Sequence, residues 1–380
     1  MIPYGRQSID DADIESVVAV LRSAWLTQGP VVPALEGAFA RRCEVNYAVA
    51  VSNATAALHL ACTALGVRPG DHVWTSPNSF VASANCAHYC GATADFVDID
   101  PVTLNLSIAN LEAKLKVAAA QRKLPKVIIP VHFSGRTCDM AAIAQLGQHY
   151  GFRIIEDASH AVGALYDGEP VGNCLHSDIT IFSFHPVKII TTGEGGMALT
   201  NDPAIATHLQ RLRSHGITRD QDLMPSPCDG PWHYQQIELG FNYRLTDIQA
   251  ALGLSQLRRL DEFLARRRYL AHRYAQMLDG LPVRLPIPNN ESAWHLYPVR
   301  VDAVHRRAIF ETMQAAGIGV QVHYIPIHLQ PYFRQRGFNP GDFPAAEAYY
   351  SEAISLPIYP ALTEGEQDKV CVILRRALGA

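Results

Sequence analysis

The sequence predicts an α/β fold, a mainly parallel sheet covered by helices on both faces and followed by a smaller α+β unit. Three observations predict it. Between about Tyr47 and Thr200, short apolar runs of strand length alternate with helical patterns, as in successive strand–helix–strand crossovers. A helical stretch from Thr246 to Leu278 then leads out of that region. Beyond the proline-rich LPVRLPIPNN, the segments AWHLYPVRV, RRAIFETMQAAG, GVQVHYI and EGEQDKVCVILRRAL suggest three or so strands with packed helices. At 380 residues the chain is too long for one compact core. We expect a large domain over residues 1–250, its N-terminal segment packing on the small one, and linker helices plus a small domain over 251–380.

Taken in order, YAVAV precedes ATAALHLACTAL, HVWTS precedes FVASANCAHY, and TADFVDI precedes IANLEAKLKVAAA. KVIIPVHF then precedes MAAIAQLGQHY, and RIIEDAS closes the series. In ITIFSFHPVKIITTGEGGMALTN a strand ends at Ser183, a turn follows, and glycines lead into another strand. The stretch from Thr246 to Leu278 reads as two helices. Sheets of this kind bind ligands at the carboxyl ends of their strands, where the polar residues of this chain fall.

Composition removes several function classes. Hydrophobic residues at 48% and charged residues at 18% fit a globular protein, and a net charge of −4 gives no basic field for nucleic acid phosphates. The opening MIPYGRQSIDD has neither a basic nor an apolar leader region, and the apolar runs are only strand-long. We therefore expect a cytoplasmic protein with no membrane partner. The eight cysteines form no CxxC pair and read as buried thiols. The sixteen histidines show no ligand spacing, so no metal is expected.

Lys188 sits in the turn FHPVK after a strand. An amine attacks an aldehyde only when deprotonated, and burial lowers its pKa. Alone, a loop lysine belongs to the surface. Asp157, however, ends the apolar strand RIIED and needs a cationic partner there. Pyridoxal 5′-phosphate (PLP) supplies one, because its pyridine nitrogen must stay protonated for the ring to act as an electron sink. Ser52-Asn53-Ala54-Thr55 opens a helix directly after a strand, and such N–H groups favour a phosphate. They are also ordinary capping residues. Ser183 is a further phosphate donor, and Phe80 is placed either to stack on the pyridine ring or in the core.

The segments SNATAAL, EDASHAVGA, FSFHPVKIITTGEGG and ELGFNYRLTDIQAALGLSQL together resemble the DegT/DnrJ/EryC1/StrS sugar aminotransferases, across essentially the whole chain. That resemblance implies PLP-dependent transferase fold type I, the aspartate aminotransferase-like fold. It makes Lys188 the Schiff-base lysine and Asp157 the pyridinium partner, with Ala54, Thr55 and Ser183 at the cofactor phosphate and Phe80 and His160 beside the ring. The family often has glutamine at the position of His160. The ExGxNxR stretch, here Glu238 to Arg244, implies a homodimer with shared active sites, Asn242 touching the cofactor phosphate of the neighbouring subunit. Tyr4, Trp25, Leu26, Thr27, Gln28, His185, Arg244, His323, Tyr324, Ile325 and Pro326 match segments that line the sugar-nucleotide pocket.

Within the family, IPYGRQSI, SFHPVK and VHYIPIHLQPYF look most like the transaminases of pseudaminic acid biosynthesis. The implied activity is transfer of an amino group from L-glutamate to C4 of UDP-2-acetamido-2,6-dideoxy-β-L-arabino-hexos-4-ulose, with pyridoxamine 5′-phosphate (PMP) as intermediate and Lys188 moving the proton. His185 either shapes the sugar pocket or is structural. A PLP-dependent sugar dehydratase would carry histidine in place of Lys188, and a regulatory protein of the same fold would not need Lys188, Asp157 and Ser183 together.

Overall fold

The computed structural model describes residues 1–379. Its centre is a seven-stranded sheet in the spatial order Tyr47–Val51, Gly196–Thr200, Ile179–Ser183, Arg153–Asp157, Val127–Ile129, His72–Thr75, Thr93–Phe96. The last five run parallel to one another, whereas Gly196–Thr200 is antiparallel to both of its neighbours. That reversal matters for the site. Gly196 pairs with Val51 on one side and with Ser183 on the other, so one strand begins where two others end.

All the strands predicted between Tyr47 and Thr200 are present, several shorter than the apolar runs that predicted them and one much shortened. KVIIPVHF forms a strand only over Val127–Ile129, because Pro130 has no N–H to continue the ladder. The chain stays beside its neighbour through Asp157 N–H to the Pro130 carbonyl (2.9 Å) and His132 N–H to the Asp157 carbonyl (3.1 Å). Alternation then decides which carboxylate of the pair Glu156-Asp157 faces the site. Glu156 meets His132, Ser177 and Thr180, while Asp157 meets Ser83 and Ser159.

The stretch after Thr246 forms helices Asp247–Arg258 and Leu260–Met277, the first opened by a reciprocal cap between Thr246 and Gln249. The C-terminal portion packs around its own apolar cluster, including Leu270, Tyr274, Val299, Met313, Leu356 and Leu374, which also takes in Ile2. Its sheet has two strands, Tyr297–Arg300 and Ala353–Leu356, where three or so were expected. GVQVHYI contributes only a bridge from Gln321 to Ser355. Its other edge is taken by the N-terminal segment, since Gly319 donates to the Ile2 carbonyl and Ile2 to the Gly317 carbonyl.

That N-terminal segment spans both portions. Ile358 N–H donates to the Tyr4 carbonyl. Farther on, Gln256 and Arg259 both donate to the Ser8 carbonyl, and Arg259 pairs with Asp10 and the fully buried Asp13. The cysteines correct one expectation. Six are buried and Cys90 is partly so, but Cys228 is exposed, because it lies in the irregular surface stretch before Gln235 rather than under an apolar element. Among the described residues no helix is long and apolar enough to cross a membrane.

Candidate active site

A cavity of about 700 Å³ opens at the edge of the sheet where Val51, Asp157 and Ser183 end their strands. It is lined by Lys188, Asp157, His160, Ser183, His185, Ala54, Thr55, Phe80, Tyr4, His323 and Tyr324, all anticipated from sequence. Trp25, Leu26, Thr27, Gln28, Asn242, Arg244, Ile325 and Pro326 are not among its lining residues in the single chain.

Lys188 closes the turn that follows Ser183, its N–H donating to the His185 carbonyl (2.8 Å). Burial pushes its amine down to about 8, against the upward pull of the Asp157 carboxylate. Far more of it is therefore uncharged near neutral pH than of an ordinary lysine, and it is the uncharged form that attacks as a nucleophile. Asp157 is itself held rigidly. Ser83 Oγ donates to one carboxylate oxygen (2.5 Å), and Ser159 donates to the other through Oγ (2.6 Å) and its backbone N–H (3.1 Å).

At the other end of the cavity, Asn53 caps helix Ala54–Ala64 by accepting from Ala56 N–H (2.8 Å). Ala54 and Thr55 line the cavity, and first-turn N–H groups of this kind carry the positive end of the helix dipole. Gly196 makes that approach possible. A Cβ there would lie 2.6 Å from the Asn53 carbonyl carbon and 2.7 Å from Ala54 N, so any larger residue would push the helix start out of place.

Three histidines stand beside Lys188. His160 is buried, accepts from Ser134 N–H at Nδ1 (3.3 Å), and meets the Tyr324 hydroxyl at Nε2 (3.1 Å). His295 packs against it, with ring centroids 4.3 Å apart and the rings tilted by 43°. His323 Nδ1 meets Ser355 Oγ (2.9 Å). Burial first, and then neighbouring cationic groups including Lys188, hold His160 and His295 well below the usual imidazole range and His323 down to about 4. All three are neutral at physiological pH. Behind them the buried Arg267 donates to the carbonyls of Trp294, His295 and Ile358, fixing the backbone that carries His295.

Sequence reasoning did not single out Ser83, Ser159, His59, Glu194, Tyr243 or His295, which also line the cavity. Ser159 had a signal, since a serine two residues after a strand-ending aspartate can close a turn onto it. His59 and His295 had none, because each sits among apolar residues and reads as core.

The residues present fit PLP. A rigid carboxylate suits a protonated pyridine nitrogen, an amine of lowered pKa suits the aldehyde, and a helix start drawn close by Gly196 suits the phosphate.

Comparison with known proteins agrees. The chain matches the DegT/DnrJ/EryC1/StrS aminotransferase family over residues 7–375. It is 39% identical to the Bacillus subtilis spore coat polysaccharide biosynthesis protein SpsC, over 98% of this chain and 96% of that one. It superposes on Helicobacter pylori PseC, an aminotransferase involved in the biosynthesis of pseudoaminic acid, with a TM-score of 0.92 and 28% identity, over 100% of this chain and 99% of that one. It also superposes on NtdA from Bacillus subtilis with bound cofactor PMP, with a TM-score of 0.85 and 28% identity, over 98% of this chain and 83% of that one.

Proposed function

Since the chain belongs to the DegT/DnrJ/EryC1/StrS aminotransferase family and is a PLP-dependent sugar aminotransferase, we propose that it transfers the amino group of L-glutamate to C4 of UDP-2-acetamido-2,6-dideoxy-β-L-arabino-hexos-4-ulose. The product is UDP-4-amino-4,6-dideoxy-N-acetyl-β-L-altrosamine, in pseudaminic acid biosynthesis. The observation that carries the reaction type is the convergence of Lys188, the braced Asp157 and the open helix start at Ala54 and Thr55 on one cavity. The finer substrate is supported by the superposition on PseC and by the resemblance of the segments around Tyr4, Lys188 and Tyr324.

When bound, PLP supplies an electron sink for charge developing on the substrate carbon. The protein's residues do the rest. Asp157, oriented by three hydrogen-bond donors, would face the ring nitrogen and hold a proton there. Ala54, Thr55 and Ser183 would hold the phosphate, with Phe80 and His160 beside the ring. Once its Nζ is free, Lys188 takes the proton from the carbon bearing the amino group, a task suited to an amine poised near pH 8. Tyr4, His185, His323 and Tyr324 orient the sugar.

We further assign a cytoplasmic homodimer, in which Asn242 reaches the phosphate of the neighbouring site and Arg244 and Trp25–Gln28 complete its sugar pocket. Their absence from the cavity of their own chain supports that assignment. A second reading, amination of another nucleotide-linked 4-keto or 3-keto sugar, is favoured by the identity to SpsC, whose name places it in spore coat polysaccharide biosynthesis.

The test is a comparison of acceptors under one condition. The UDP-linked 4-keto L-arabino sugar should be aminated much faster than its D-xylo epimer or a dTDP-linked analogue. Equal rates on all three would sink the specific substrate and leave the aminotransferase standing. Loss of the cofactor's visible absorption band on adding glutamate checks the donor half of the reaction.

A further inference from the structure

Both ring nitrogens of His160 are engaged by the protein itself, and the directions of the two hydrogen bonds can be worked out. The backbone N–H of Ser134 can only donate, so Nδ1 of His160 accepts and carries no proton. A neutral imidazole then has its single proton on Nε2. The ring is neutral because it is buried and because Lys188 and His323 stand nearby. At the 3.1 Å contact with Tyr324, His160 Nε2–H is therefore the donor and the phenol oxygen the acceptor. The phenol's own proton is left over. It finds no acceptor among the described residues, and Tyr324 lines the cavity beside Lys188 and His323.

We propose that His160 is a positioning residue acting through Tyr324, fixing the phenol as a hydrogen-bond donor to an oxygen of the bound substrate. This rests on the sugar aminotransferase reading and deepens it. The shared chemistry is a carbonyl, hydroxyl or carboxylate oxygen that accepts a hydrogen bond, offered either by the keto sugar or by glutamate. The Ser134 amide sets the tautomer from behind. Ser134 is itself anchored, its Oγ donating to the Leu296 carbonyl (2.7 Å) and its carbonyl accepting from His295 N–H (2.9 Å). With both nitrogens occupied, His160 has only its ring face left for the cofactor.

Two substitutions separate the roles of the nitrogens. Glutamine places an amide N–H where Nε2 stands and keeps the donor to Tyr324; asparagine places its oxygen where Nδ1 stands and loses that donor. The holoenzymes His160→Gln, His160→Asn and Tyr324→Phe are followed by cofactor absorbance in each half-reaction, first with glutamate and then, from the PMP form, with the UDP-linked 4-keto L-arabino sugar. His160→Asn and Tyr324→Phe should raise the KM for the substrate that takes the hydrogen bond by about tenfold, in one half-reaction only. His160→Gln should show a several-fold smaller rise in that KM than His160→Asn does, whatever either change does to turnover through the ring face, and the double variant Tyr324→Phe/His160→Asn should raise KM no further than either single one. The half-reaction affected identifies the source of the oxygen.

The proposal is overturned if Tyr324→Phe leaves both half-reactions unchanged, or if the glutamine and asparagine variants behave alike. Nitrogen NMR of selectively labelled histidine gives a check independent of turnover: a proton on Nδ1 of His160 overturns the proposal, and one on Nε2 supports it. Failure of the wild-type enzyme to react with either substrate would instead sink the functional reading, since the tautomer would still be measured.

Discussion

The floor and the rim of the cavity are built differently. On the floor, the groups proposed to hold PLP are fixed by their own chain: Asp157 by Ser83 and Ser159, Lys188 by its turn, and the helix start by Asn53 and Gly196. At the rim, Tyr243 lines the cavity, but Trp25–Gln28 and the flanking Asn242 and Arg244 do not line the cavity of their own chain. Asn242 bridges to Ser214, Arg244 to Val51 and Thr27 to Thr246. Trp25 and Leu26 are exposed. The difference teaches that one chain by itself brings Lys188, Asp157 and the helix start together, whereas the proposed roles of Trp25–Gln28, Asn242 and Arg244 need a second subunit.

The largest effect should come from the floor. Lys188→Ala should lower turnover by about 10²–10⁴ and abolish the borohydride-reducible bond between protein and cofactor, seen by intact mass. A reducible bond surviving in that variant would remove Lys188 from its role. Asp157→Asn removes a buried charge from its pair, which costs about 3–5 kcal/mol, and the loss should be read as weaker cofactor retention on dialysis.

Mixing tests the rim. Lys188→Ala and Asn242→Asp proteins, each nearly inactive, are combined under conditions where subunit exchange is verified. If Asn242 serves the neighbouring site, a mixed dimer has one site with both lesions and one wholly wild type. Random exchange then restores about a quarter of wild-type activity. Activity no higher than that of the separate variants would return Asn242 to its own chain.

The smallest effect concerns what holds the rim. Asp247, fully buried, accepts from Gly29 N–H and Val31 N–H (3.1 Å each) and donates its own N–H to the Leu26 carbonyl (3.0 Å). Asp247→Asn leaves one of those amides without a good acceptor, at about 1–3 kcal/mol. Thermal unfolding should register that loss while the visible spectrum of the bound cofactor stays unchanged. A changed spectrum would mean that rim and floor are coupled after all.

Much of the floor was legible because its residues follow strand ends in short, ordered segments. Lys188 lies in the turn after one strand, and Asp157 closes another. The alternation of strands and helices likewise gave the sheet. The third strand expected near the C-terminus was not legible as a bridge, since nothing in GVQVHYI shows that the N-terminal segment occupies its edge. His295 was hidden for a similar reason. The segment that carries it into the cavity is held by Arg267, which gathers the carbonyls of Trp294, His295 and Ile358, a contact no local pattern announces.

The N-terminal segment has a mechanical consequence. It is fastened at Ile2 and Tyr4 to the C-terminal layer and at Ser8, Asp10 and Asp13 to the helices that follow the sheet. Between these anchors only a few residues are free, and a chain spans at most about 3.6 Å per residue. The segment is thus a short tether, limiting how far the two layers can part before an anchor breaks. Tyr4, bonded to Ile358 of the C-terminal layer and standing at the cavity wall, ties the position of that layer to the shape of the cavity.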